Sequence, residues 1–217
     1  MAVEYRGALK PGQAAVPTAA VTATKTTRLN IGYDRERADN CRDYRFRSPS
    51  RTLRMDPEVV SLEFPNVGAG PDPVSVAALG SNSAAVVLLL MQSHQSGTCR
   101  QQAREVADAY DRFRRRDVAV AVVVPGSYPK VRSWRRLVEP PFPVLADSET
   151  ALAAAFTQQT RYGKLGQMAQ AIGRAPMTIV LEFRNGEPTV TTSYQGMNSF
   201  DRPSVHELLM LIDDPVD

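Results

Sequence analysis

Residues 84–113 read AAVVLLLMQSHQSGTCRQQAREVADAYDRF. The first eight are a continuous apolar run of strand length, the pattern of a strand covered on both faces. After a short polar stretch the pattern changes period: Ala103, Val106, Ala107, Tyr110 and Phe113 recur at steps of three and four, with Arg, Gln and Asp between them. That is an amphipathic helix running from Cys99 to Arg116. A buried strand leading into a helix predicts an α/β domain, and it sets Cys99 at the junction.

Downstream the alternation continues. VAVAVVV (118–124) is a second buried strand, closed by the turn PGSYP. KVRSWRRLV (130–138) is a helix that Pro140, Pro141 and Pro143 stop before the short strand PVLA. In it Trp134 packs one face, and the arginines of SWRRL are read as a solvated face rather than a binding site. Asp147 or Ser148 caps the helix ETALAAAF. MTIVLEF and PTVTTSYQG flank RNGE, where Asn185-Gly186 is a hairpin signal. DRPSVHELLMLI closes the chain as a helix, with Ser204 as cap and Glu207 as its capping-box partner. Parallel βαβ units followed by an antiparallel hairpin predict a mixed sheet flanked by helices.

Upstream the composition differs. Residues 1–57 are rich in Pro, Ala and Thr and show no hydrophobic period, so they read as a long, irregular, extended basic N-terminal arm, disordered alone. Residues 58–217 are the folded domain. From Lys25 to Arg54 the arm carries nine Lys or Arg against four Asp or Glu, with Tyr33, Tyr44 and Phe46 among them. A solvated tail and an anchor on a larger protein assembly are both compatible with this pattern.

The whole chain has 217 residues and a net charge of +3. The excess is local, which favours a docking patch over nucleic-acid binding. Its two cysteines form no disulfide framework, its two histidines and scattered acids form no metal cluster, and no phosphate-binding loop is visible. The glycines of GKLGQMAQAIG (163–173) follow no strand and read as a loop or short helix. No cofactor is therefore expected. The longest apolar run is too short for a membrane span and no secretory leader is read at the N-terminus, so a reducing, cytoplasmic setting is expected, with organellar targeting by the Ala/Thr-rich start left open.

With these elements in place, the chain resembles the thioredoxin fold, and within it the AhpC/TSA family of peroxiredoxins and peroxiredoxin-like proteins, over residues 62–213. FPNVGAGPDPVSVAALGSNSAAVVLLLM is similar to the family's entry hairpin and first core strand, FPVLADSETALAAAF to its short strand, Asp and helix, and DRPSVHELLMLI to its last helix. The resemblance implies a thioredoxin-like domain and a thiol-dependent oxidoreductase that reduces peroxides.

It also implies a site. Aligned on Cys99, the family pattern PxxxTxxC places Ser96 at the Thr and Gln92 at the Pro that helps to shield the thiolate. Ser96 keeps the hydroxyl; Gln92 departs from the pattern. Read against a thioredoxin CxxC, only Cys99 survives, which leaves a one-cysteine cycle served by an external thiol reductant such as thioredoxin. Arg174 lies near the family's second Arg, before the hairpin. Pro176 resembles the cis-proline set against the active cysteine, and a cis X-Pro bond costs only about 0.5–1 kcal/mol. Thr98 adjoins the site. Cys41 is either a resolving thiol or incidental.

The residues allow such chemistry independently. A thiol in the first turn of a helix faces unpaired N–H groups and the positive end of the helix dipole, which favour the nucleophilic thiolate. Ser96 would hydrogen-bond the thiolate or the peroxide, and Arg174 would stabilise the leaving oxygen. Against this stands the reading of Cys99 as a small buried hydrophobe. His94 is a loop histidine rather than half of a dyad. The competing function is a thioredoxin-fold assembly protein, degenerate at Gln92 and Ser96, that docks through residues 1–57.

Overall fold

The structure is a computed structural model, and it describes residues 53, 54, 56–156, 174–184 and 187–213. Cys41, nearly all of the arm, the 163–173 stretch and the Asn185-Gly186 turn lie outside the described residues.

The apolar runs form the centre of a six-stranded sheet. Its strands are β1 (Leu53–Arg54), β4 (Ala85–Leu90), β5 (Val118–Pro125), β6 (Val144–Asp147), β7 (Met177–Arg184) and β8 (Glu187–Gln195), in the spatial order β1-β8-β7-β4-β5-β6. β4 pairs parallel with β5, and β5 with β6, whereas β7 runs antiparallel to both β4 and β8. The expected mixed sheet is the one observed. Arg184 pairs with Glu187, so β7 and β8 form the antiparallel pair expected of the hairpin. A small antiparallel pair, β2 (Glu63–Phe64) with β3 (Val74–Ser75), forms the entry hairpin.

Because β4 alternates, its side chains supply two cores. Val87 and Leu89 face α3 (Gly97–Asp108), α5 (Tyr128–Arg135) and α7 (Val205–Asp213) through Cys99, Ala103, Val106, Val131, Trp134 and Leu208. Val86, Leu88 and Leu90 face α1 (Pro57–Ser61), α2 (Val76–Gly80) and α6 (Ala151–Ala155) through Val60, Val76 and Leu152. Every residue of β4 is buried, and full burial of a Val or Leu contributes roughly 1.5–3 kcal/mol, so this strand is the centre of stability.

Three local differences have physical causes. The helix expected from Cys99 to Arg116 breaks at Ala109, whose φ/ψ of −100°/6° lies outside the helical region, and resumes as α4 (Tyr110–Arg114). The N-cap position of α6 is held by Thr150, in the left-handed region and without a side-chain bond, rather than by Asp147 or Ser148; Asp147, at the end of β6, reaches the helix start by accepting the Ala151 N–H at 2.7 Å. Leu53 and Arg54, assigned by composition to the arm, instead pair with Val190 and Thr189 as an edge strand, gaining backbone hydrogen bonds that composition does not report.

Candidate active site

β4 ends at Leu90, which pairs with Met177 at the start of β7, which in turn pairs with Gln195 at the end of β8. One end of the sheet therefore gathers the β4–α3 turn, the segment before β7 and the loop after β8. Cys99, Arg174 and Arg202 all come from these three places.

Cys99 sits in the first turn of α3 and is fully buried, with 0% exposure. Its sulfur accepts two hydrogen bonds. One is from the Gln92 backbone N–H at 3.3 Å, and the other is from Arg202 Nη2 at 3.1 Å. The first bears on the departure at Gln92, since a proline at that position has no N–H to donate. The Gln92 side chain is buried too, and its Oε1 has no hydrogen-bond partner.

The second contact revises the expected cation. Arg202 follows β8 rather than preceding the hairpin, and it is held on several sides. Nη2 also donates to Thr98 Oγ1 at 3.2 Å, Nη1 to Gln102 Oε1 at 3.0 Å, and Nε to the Ser199 carbonyl at 3.0 Å. Gln102 is itself fixed by donating to the Pro203 carbonyl at 3.4 Å. The sequence offers little to single out Arg202, because it lies between a turn and a capping box and matches no spacing used for the site.

Arg174 is placed elsewhere. Its electrostatic partner is Asp147, which accepts the Ala151 N–H at the start of α6, and α6 packs into the core on the opposite side of the sheet from Cys99. Burial pushes the Arg174 guanidinium down from its ordinary value, and the Asp147 carboxylate partly offsets this. Burial likewise raises the Asp147 carboxyl, against the lowering effects of N–H bonds from α6 and of Arg174.

Ser96 and Thr98 also take different parts from those expected. Ser96 is the N-cap of α3: its Oγ accepts the Cys99 N–H at 3.2 Å and lies 2.9 Å from Thr98 Oγ1. The hydroxyl sharing the Arg202 donor with the sulfur is that of Thr98, so Ser96 positions the helix end and Thr98 lies beside the sulfur. Arg100, next to the thiol in sequence, turns back to the His94 and Gln95 carbonyls at 3.5 and 3.1 Å. Pro176 is trans; the cis bond among the described residues is Asp72-Pro73. The Pro176 carbonyl accepts the Gly196 N–H at 2.9 Å, which ties the start of β7 to the loop carrying Arg202.

The loop is built to hold that guanidinium still. Asn198 Oδ1 accepts the N–H groups of Phe200 and Asp201 at 2.8 and 3.0 Å. Asp201 Oδ2 accepts the Met197 N–H at 2.8 Å, and its Oδ1 accepts the Tyr194 hydroxyl. One backbone N–H and one anchored guanidinium thus converge on a buried sulfur at a helix N-terminus. Among the described residues no group of three or more His, Cys, Asp or Glu could hold a metal, and no helix is long and apolar enough to cross a membrane.

Residues 59–181 match the model of the AhpC/TSA family. No curated protein is significantly similar to the chain. Among solved structures, the Xanthomonas campestris bacterioferritin comigratory protein, whose description concerns alkyl peroxide reduction, superposes with a TM-score of 0.57 at 14% identity, covering 74% of this chain and 94% of that one. The peroxidoxin BcpB of Mycobacterium tuberculosis gives 0.54 at 19%, covering 70% and 90%. Enterococcus faecalis AhpC gives 0.61 at 13%, covering 75% and 89%. At these identities the likeness is one of fold, and it is the thioredoxin-like fold of peroxiredoxins.

Proposed function

The chain belongs to the AhpC/TSA family, and from that premise we propose that it is a peroxiredoxin-like thiol peroxidase acting through the single cysteine Cys99. The observation that carries the reading is the pair of donors on the sulfur, Gln92 N–H and Arg202 Nη2. Both stabilise a thiolate, the form that attacks peroxide.

The Cys99 thiolate attacks one peroxide oxygen. An S–O bond forms as the O–O bond breaks, sulfur is oxidised to the sulfenic acid, and the other oxygen leaves as an alkoxide or hydroxide that takes a proton from water. Arg202 holds the charge before the attack and faces the charge developing on the leaving oxygen during it. Two equivalents of an external thiol, such as those of thioredoxin, then return Cys99 to the thiol, releasing water and a disulfide. Cys41 in the arm is the alternative resolving thiol.

Complete burial of the sulfur favours the second reading, a degenerate module that docks onto a larger assembly through residues 1–57, because peroxide must reach an atom with no exposed surface. Peroxide consumption by the wild type and Cys99→Ser, with and without thioredoxin, separates the two. The peroxidase reading expects turnover that vanishes in Cys99→Ser; equal, background rates in both proteins would remove it.

A further inference from the structure

The second site lies on α5, away from the thiol. Tyr128, Arg132, Arg135 and Arg136 follow one another at spacings of four, three and one, which puts them on one face of the helix, while Val131 and Trp134 on the other face enter the core. The polar face is not flat. It forms one wall of a recess of about 410 Å³ whose other wall is Asn66 and Val67.

That opposite wall is rigid. Asn66 Nδ2 donates to the Ala69 and Pro71 carbonyls, both at 2.9 Å, and Oδ1 accepts the N–H groups of Gly68 and Val144 at 2.8 and 2.9 Å. Val67 N–H reaches the Val144 carbonyl at 2.9 Å, so the wall is pinned to edge strand β6. The recess is preformed, and its polar capacity comes from α5.

Among the described residues the arginines have no ion-pair partner: no bridge joins Arg132, Arg135 or Arg136 to a carboxylate, although like charges at this spacing repel one another. Asp72, the acid next to the Asn66 wall, uses Oδ1 to accept the Asn66 N–H. Within the set, Arg135 Nε is buried without an acceptor, and leaving a charged donor unsatisfied is costly.

We propose that this recess binds a diphosphate group, either inorganic pyrophosphate or the diphosphate of a nucleotide. Three guanidiniums on one wall match the charge of two adjacent phosphoryl groups, and guanidinium forks bind phosphate oxygens in pairs. A monoanion would leave most of the positive charge unmatched. Tyr128 at the end of the row adds an aromatic ring and a hydroxyl where a nucleoside would extend.

Calorimetric titration of the full-length protein at near-physiological salt tests this, using inorganic pyrophosphate, adenosine diphosphate, adenosine and sulfate. Pyrophosphate and adenosine diphosphate are expected to bind and adenosine and sulfate to bind far less. Tighter binding of adenosine diphosphate identifies the nucleotide as the source, and equal binding identifies the phosphoryl groups alone. Arg132→Gln and Arg136→Gln change exposed side chains and leave the core intact; each, like Arg135→Gln, is expected to weaken binding by about tenfold or more, the ratio that loss of one charge-assisted hydrogen bond implies. Arg115→Gln, an exposed arginine outside the recess, controls for general charge and is expected to have no such effect. Absence of diphosphate binding, sulfate binding as tightly as pyrophosphate, or equal losses in all four variants would overturn the proposal.

Discussion

At the scale of the residue, Ser96, Cys99, Thr98, Arg174 and Pro176 each have an address in the fold, and the addresses differ in what they do. Ser96 caps α3 through the Cys99 N–H, so Ser96→Ala removes a cap hydrogen bond and should cost about 1 kcal/mol of stability in urea unfolding. A variant as stable as the wild type would show that the cap is not needed. Asp147 supplies a pH prediction. Burial raises its carboxyl above the ordinary carboxylate value, so the folded state holds this proton more readily than the unfolded chain. The contribution therefore favours folding at low pH and is lost as pH rises through the raised value. Asp147→Asn keeps an oxygen for the Ala151 N–H but cannot titrate. Unfolding measured from pH 7 down to pH 4 should show the balance of stability moving toward the wild type relative to Asp147→Asn; a difference that stays flat, or moves the other way, contradicts the assignment.

At the scale of the element, hydrophobic period was a good guide wherever one face is buried. The strands at Ala85–Leu90 and Val118–Pro125, and the capping box in which Ser204 Oγ accepts the Glu207 N–H at 3.2 Å while Glu207 Oε2 accepts the Ser204 N–H at 2.7 Å, were all legible. The site was legible only in part. Local motif marked Cys99 because a strand-to-helix junction is local, but it pointed to Arg174 and held no signal for Arg202. Both segments reach the same end of the sheet, and which side of the sheet each serves depends on packing more than on sequence neighbours. The loop that delivers Arg202 leaves no room at Gly196, where a Cβ would collide with the Asp201 carbonyl oxygen and press on Pro176 Cγ, 2.8 Å away. Gly196→Ala should thus displace the loop and slow alkylation of Cys99 by a small electrophile in the unfolding-free range, while far-ultraviolet circular dichroism stays as in the wild type. Unchanged alkylation would show that the loop does not govern the sulfur.

At the scale of the whole molecule, the arm and the domain meet at β1. Leu53 and Arg54 pair with Val190 and Thr189 on β8, and without them β8 becomes an exposed edge, the kind of surface that pairs with other chains. Removal of residues 1–52 should leave the monomer's stability unchanged, whereas removal of residues 1–55 should promote association, read by light scattering; identical scattering from the two would mean that β1 does not protect the edge. Composition placed this boundary after Pro57, with β1 still in the arm, because short edge strands, held by backbone pairing alone, carry no side-chain period. The central claim concerns the thiol that the sheet and three separate segments enclose. Its most direct test is the rate of sulfenic acid formation at Cys99 on rapid mixing with peroxide, in the wild type, Arg202→Gln and Arg174→Gln. The account predicts a rate lowered by about tenfold or more in Arg202→Gln, as loss of a charge-assisted hydrogen bond to the thiolate implies, and little changed in Arg174→Gln. No sulfenic acid in the wild type, or a larger loss in Arg174→Gln than in Arg202→Gln, would contradict it.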